Sequence, residues 1–123
     1  MAKINKIIEV VDRNKPNAFT QEDKLQWIAE LDGQLALEVF LMDTVEAAGF
    51  QYTFPEGLEY EPLVKFPHDG IYDAWLEAKI DYNNGEYEKY QNSMEMFNAR
   101  RAAFVRWFAS TYEPAQGYRK EVR

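Results

Sequence analysis

The apolar positions of this chain change period twice, and those changes divide it. Ile4, Ile7, Ile8 and Val11 recur at i, i+3, i+4 and i+7, which predicts a short amphipathic helix over 3–13 that stops ahead of Pro16. A helix of that length is marginal alone in water, so it must dock on the rest of the chain. Thr20 then stands where an N-cap belongs, followed by Gln21, Glu22 and Asp23 at the positive end of the helix dipole. Leu25, Ile28, Leu31, Leu35, Val39 and Met42 form the stripe of a second helix over 21–42. Gly33 inside it costs about 1 kcal/mol relative to alanine unless a close helix crossing uses the missing side chain.

Residues 43–68 break the helical period, with Ala47-Ala48-Gly49 as the exit. Phe50, Tyr52 and Phe54 alternate with polar residues, Pro55-Glu56-Gly57 reads as a turn, and Leu58 and Tyr60 alternate with Glu59 and Glu61. This pattern predicts a β-hairpin, which alone is marginal in water and must lay its aromatic face on the helices or on another subunit. The helical period returns over 69–83 with Asp69 as N-cap. Gly85 then supplies a left-handed turn, and a long fourth helix follows over 86–112. Its stripe of Tyr87, Tyr90, Met94, Phe97, Arg101, Phe104 and Phe108 alternates in threes and fours, as in coiled-coil packing.

The expected fold is mainly α: a small helical bundle with a long αα-hairpin and a short β-hairpin excursion. A length of 123 residues fits one domain, 1–123. It comprises an N-terminal helix and linker (1–18), a helical core (19–112) with the excursion at 43–68, and a flexible tail (113–123). At 1.5 Å per residue the fourth helix outruns the third by about 18 Å. That overhang carries Arg100, Arg101, Phe104, Arg106, Trp107 and Phe108, and helix two or another subunit must cover it.

Composition adds two constraints. The 8 Phe, 8 Tyr and 3 Trp are the residue types that dominate cores and interfaces. The absence of cysteine excludes disulfides, thiolate metal sites and cysteine nucleophiles. The net charge of −7 is segregated, with 15 acidic against 3 basic residues over 25–99 and 6 basic against 2 acidic over 100–123. An acidic body argues against specific nucleic-acid binding, although the basic end keeps a minor version of that idea open. The amino-terminal stretch has neither the signal-peptide pattern nor the apolar length of a membrane span, so cytosolic retention is expected.

Catalytic and metal chemistry find little footing. Asp69, Asp73, Glu77 and Asp81 are spaced by four on the third helix and read as a solvated acidic face, with Lys89 across the turn as a partner for Asp81. A metal site would need that row to gather with Glu30 or Glu38 in a cleft; the chain has no E-x-x-H motif and one histidine, His68. His68 has no second histidine or motif-borne nucleophile beside it and reads as a loop or cap residue. No phosphate-binding loop is present. No catalytic, cofactor-binding or metal-binding residue is therefore expected.

Arg101 is the polar intruder in the fourth helix's stripe. Buried charge must be paired, and in a hairpin turning at Gly85 Arg101 lies nearly opposite Asp69, so a structural Asp69–Arg101 ion pair is expected; a contact to another subunit would meet the same demand. Met96, Ala99, Ala103 and Trp107 form a second apolar strip turned away from that stripe, and Trp27, Leu37 and Leu41 lie off the main stripe of helix two. A compact bundle in which every helix touches two neighbours would absorb these faces. Self-association is the other reading, with Met96, Arg100, Ala103, Arg106 and Trp107 as the candidate interaction surface.

Two segments carry a resemblance. LQWIAELDGQLALEV (Leu25 to Val39) contains Trp27, Glu30, Leu31, Asp32 and Gly33 in a W-x-x-E-L-D-G pattern. The block Leu63 to Asn98 contains Pro67 to Tyr72, then Ile80, Asp81, Tyr82, Asn84, Gly85, Glu86, Tyr87, Tyr90, Asn92 and Ser93 in an I-D-Y-x-N-G-E-Y-x-x-Y-x-N-S pattern. Together they resemble small proteins of the head-tail connector or neck type encoded by phages and prophages of low-GC Gram-positive bacteria. The resemblance spans more than half the chain, is weakest at 43–62 and after Arg100, and marks no reaction. It implies a non-enzymatic virion protein, present in the host cytoplasm during assembly, that forms a homo-oligomeric ring beneath the portal and joins portal to tail proteins. A small acidic regulator that binds a host protein would have the same chemistry and is the alternative.

Overall fold

The computed structural model describes residues 2–112, and the tail expected over 113–123 lies outside the described residues. Five α-helices and one 3-10 turn follow in order: α1 (Ile4–Asn14), α2 (Gln21–Glu38), α3 (Thr44–Ala48), the turn Glu56–Glu59, α4 (Gly70–Asn83) and α5 (Tyr87–Tyr112). The mainly helical expectation holds.

The caps explain several boundaries. Thr20 accepts from the Asp23 N–H while the Asp23 carboxylate accepts from the Thr20 N–H, a reciprocal box that starts α2. Asp43 and Glu46 repeat the arrangement at α3. Asp69 holds the N-cap position of α4 without a side-chain cap bond. The second helix ends at Glu38, short of the expected Met42, because Leu41 turns left-handed (φ 56°) and lets the Met42 N–H return to the Ala36 carbonyl at 2.9 Å. Gly85 (φ 76°) makes the corresponding reversal between α4 and α5.

Ile4, Ile7, Ile8 and Val11 are all buried, so α1 docks as its pattern requires. Its first N–H is received by the Tyr60 carbonyl at 2.9 Å. Helices α4 and α5 form the antiparallel hairpin, with Trp75 against Phe97 (ring centroids 5.0 Å) and Tyr82 against Tyr90 (5.2 Å). Leu25, Ile28, Leu31 and Leu35 of α2 close the core against Ile71, Leu76 and Ile80. The overhang of α5 is covered from within the chain: Phe108 meets Phe40, just past α2, at 4.7 Å, and Phe104 meets both Phe40 and His68.

The predicted β-hairpin is corrected. No strand occurs among the described residues; 43–68 holds α3, an irregular stretch and the 3-10 turn. The alternation at Tyr52 and Leu58 instead serves docking, since Tyr52 sends its hydroxyl to α2 and Leu58 enters the core. The chain can reverse tightly there because Gly57 lies against Tyr52: a Cβ on Gly57 would come within 2.7 Å of the Tyr52 Cβ.

At Gly33, nothing among the described residues lies within 4 Å of where a Cβ would be, so no close helix crossing there uses the missing side chain.

Candidate interaction surfaces

Two buried carboxylates organise the scaffold. Asp32 sits on the inward side of α2, fully buried, and accepts from Tyr72 Oη (2.5 Å), Tyr52 Oη (2.6 Å) and the Leu63 N–H (3.1 Å). The Tyr72 oxygen in turn accepts from the Val64 N–H at 2.7 Å. One carboxylate therefore ties α2, α4 and two points of the 43–68 segment together. Burial pushes the Asp32 carboxyl above its ordinary range, and the hydrogen bonds from Tyr52, Tyr72 and Leu63 oppose that shift. Both phenols are raised as well, by burial first and then by the neighbouring carboxylate.

Asp81 is the second anchor, and it overturns the expectation of a solvated acidic face over the whole row. It is fully buried near the end of α4, pairs with Lys15 beyond α1 (2.9 Å) and accepts from Ser93 of α5 (2.8 Å). Lys89 pairs with Glu86 at 3.0 Å and not with Asp81. Asp69, Asp73 and Glu77 stay half-buried. Burial and then Glu77 raise the Asp73 carboxyl, with Arg100 opposing. A third buried charge, Lys24, meets Asp12 at 2.7 Å.

The expected Asp69–Arg101 pair is also corrected. Arg101 Nη2 lies 2.8 Å from Glu38 Oε1 at the end of α2. Arg100 is the residue that reaches the start of α4: a Cβ on Gly70 would meet its Nη1 at 2.5 Å. Arg101 turns to α2 and not to α4, because a guanidinium between helices goes to the carboxylate that its long stem can reach at the rim, where its head stays hydrated.

The candidate surface on α5 divides. Met96 (54% exposed) and Arg106 face solvent, and Ala103 is half-buried. Trp107 is 40% exposed, with its ring 4.9 Å from His68 and 6.0 Å from Phe104. Trp107 thus contributes to the fold as well as to the surface, and Arg100 bends back over Gly70.

Larger exposure lies outside the candidate set on α5. Leu41 (80% exposed), Val45 (81%) and Phe66 (76%) stand out from the segment between α2 and α4. Leu37, in the last turn of α2, and Phe54 and Tyr60 of that stretch are also exposed. For Leu37 and Leu41 the signal was their place off the main stripe of the second helix; for Phe54 and Tyr60 it was the alternation that was read as a hairpin face laid on the helices or on another subunit.

Among the described residues, no three His, Asp or Glu side chains converge as a metal-holding group, and no helix is long and apolar enough to cross a membrane. No protein-family model, curated protein or solved structure matches this chain.

Proposed function

We propose that the chain is a non-enzymatic phage virion protein, a head-tail connector that assembles as a ring on the portal and receives tail proteins. The observation that carries this reading is the division of labour within the resembling segments. Their polar residues Asp32, Tyr72, Asp81 and Ser93 are committed to holding the fold, whereas Leu41 and Val45, between the two segments, and Phe66, in the first residues of the second, are offered to solvent. A fold pinned by buried anchors and lined with exposed apolar side chains suits a part that is completed by its neighbours. The same reading locates the protein in the virion, and in the host cytoplasm while particles assemble.

The test is head-tail joining on portal-containing particles. Val45→Glu and Phe66→Glu together should abolish binding to the particles while the helical circular dichroism of the isolated protein is unchanged. Undiminished joining by a well-folded double variant would remove the support for this surface. A gene neighbourhood without portal, capsid or tail genes, combined with capture of one host protein, would favour the regulator.

A further inference from the structure

The outer side of α2 and the short α3 enclose an open groove of about 1100 Å³. Ala29, Gly33 and Leu37 follow one another along α2 at one-turn intervals in its lining, and its carboxylates are Glu22, Asp23 and Glu30. Nothing lies within 4 Å of where a Cβ of Gly33 would be, so the backbone there is open to a close approach. Lys79 reaches Glu30 from α4 at 3.0 Å, but no lysine or arginine belongs to the lining to answer Glu22 and Asp23. Such a groove selects a helix with small side chains on its contact face and a cation at one end.

The second half of α5 has that pattern. Residues 96–112 carry three arginines and no carboxylate. Met96, Ala99, Ala103 and Arg106 are spaced by three, four and three, which puts them on one face of the helix, and all but the half-buried Ala103 are exposed. No α5 residue of the same chain lines the groove. We propose that this face of α5 from one copy docks antiparallel in the α2–α3 groove of a second copy. Ala99 then lies on Gly33, Ala103 on Ala29 and Met96 beside Leu37. The same register brings Arg106 to Gln26, one turn from both Glu22 and Glu30. A parallel approach would instead set Met96 among the carboxylates and Arg106 beside Leu37. Each copy uses two different faces, so the contact is heterologous and repeats from copy to copy. It supplies the contact of the ring read above and rests on that reading for its closure, whereas the contact itself forms between free copies.

The chain has no cysteine, so Gly33→Cys and Ala99→Cys can be made as two separate full-length proteins with one thiol each. Mixed and oxidised with copper phenanthroline, they should give a disulfide-linked heterodimer, identified by mass, at a yield far above the homodimers that either gives alone. Arg106→Glu in the Ala99→Cys protein should reduce the yield to that background, and Glu22→Arg in the Gly33→Cys protein should restore it. Circular dichroism checks that every variant keeps its helices. Sedimentation velocity of the cysteine-free Gly33→Leu protein, which fills the groove with a good helix former, should show the association lost. A heterodimer yield no higher than that of the homodimers, or one that Arg106→Glu leaves unchanged, overturns the contact. Head-tail joining on portal-containing particles is a separate measurement, so either result leaves the connector reading to its own test.

Discussion

Tyr72 of α4 donates its phenolic hydrogen to Asp32 of α2 at 2.5 Å, and both residues are completely removed from solvent. The pair is the centre of a network in which Tyr52 and the N–H groups of Leu63 and Val64 complete the bonding. Removing one member strands the others in a low-dielectric interior. Tyr72→Phe should therefore cost about 3 kcal/mol, because it leaves the Val64 N–H and one carboxylate oxygen short of a partner. Tyr52 is only partly buried, and Tyr52→Phe should cost about 1 kcal/mol. Urea denaturation of both variants checks the order; equal or reversed costs would remove Tyr72 from the centre of the network.

The same carboxylate gives stability a pH dependence of definite sign. A carboxyl raised by burial binds its proton more tightly in the folded state, so its stabilising contribution is full below the unfolded value of about 3.9 and is lost as pH rises through the folded value. Asp32→Asn cannot titrate. The stability of the parent relative to Asp32→Asn should fall as pH rises above about 4, whatever their absolute difference. Denaturation curves at matched ionic strength decide it, and a difference that grows in the parent's favour with pH would contradict the assignment.

Lys15 and Lys89 provide a paired comparison. Lys15→Ala leaves the buried Asp81 carboxylate with Ser93 alone and should cost about 2–3 kcal/mol. Lys89→Ala removes only an exposed partner of Glu86 and should leave the urea midpoint where it was. Equal effects would return Lys89 to the role that sequence spacing suggested.

Gly33 lies in the interior of α2 with open space around its missing side chain. Gly33→Ala should raise stability by about 1 kcal/mol, the ordinary helix-interior difference. A loss of stability would show that the position needs a bare backbone.

The helices were legible because their information is local. Ile4 to Val11, the Thr20 cap, Gly85 and the stripe of α5 each announce an element within one or two turns. The buried anchors were not legible, because an aspartate at 32 or 81 looks like any surface carboxylate until tertiary packing places Tyr72 or Lys15 beside it. Arg101 shows the same limit, since its partner Glu38 is brought from α2 by tertiary packing. At 50–60 the alternation was real, but its inward side chains Tyr52 and Leu58 dock on α2 and in the core, and no strand forms among the described residues.

Leu41 joins a backbone anomaly to the exposed surface. A leucine at φ 56° is disfavoured by contact of its Cβ with the backbone, and its side chain is 80% exposed, so folding gains little from keeping it. Strain of this kind is retained where a side chain serves another purpose. Leu41→Gly should relieve the left-handed turn and stabilise the isolated protein by about 0.5–1 kcal/mol, the smaller net figure reflecting the freedom glycine gives the unfolded chain. The same variant should bind portal-containing particles more weakly. Thermal denaturation and particle binding measured on one preparation separate the two effects. A stabilised variant with undiminished binding would show that Leu41 is no part of the assembly surface.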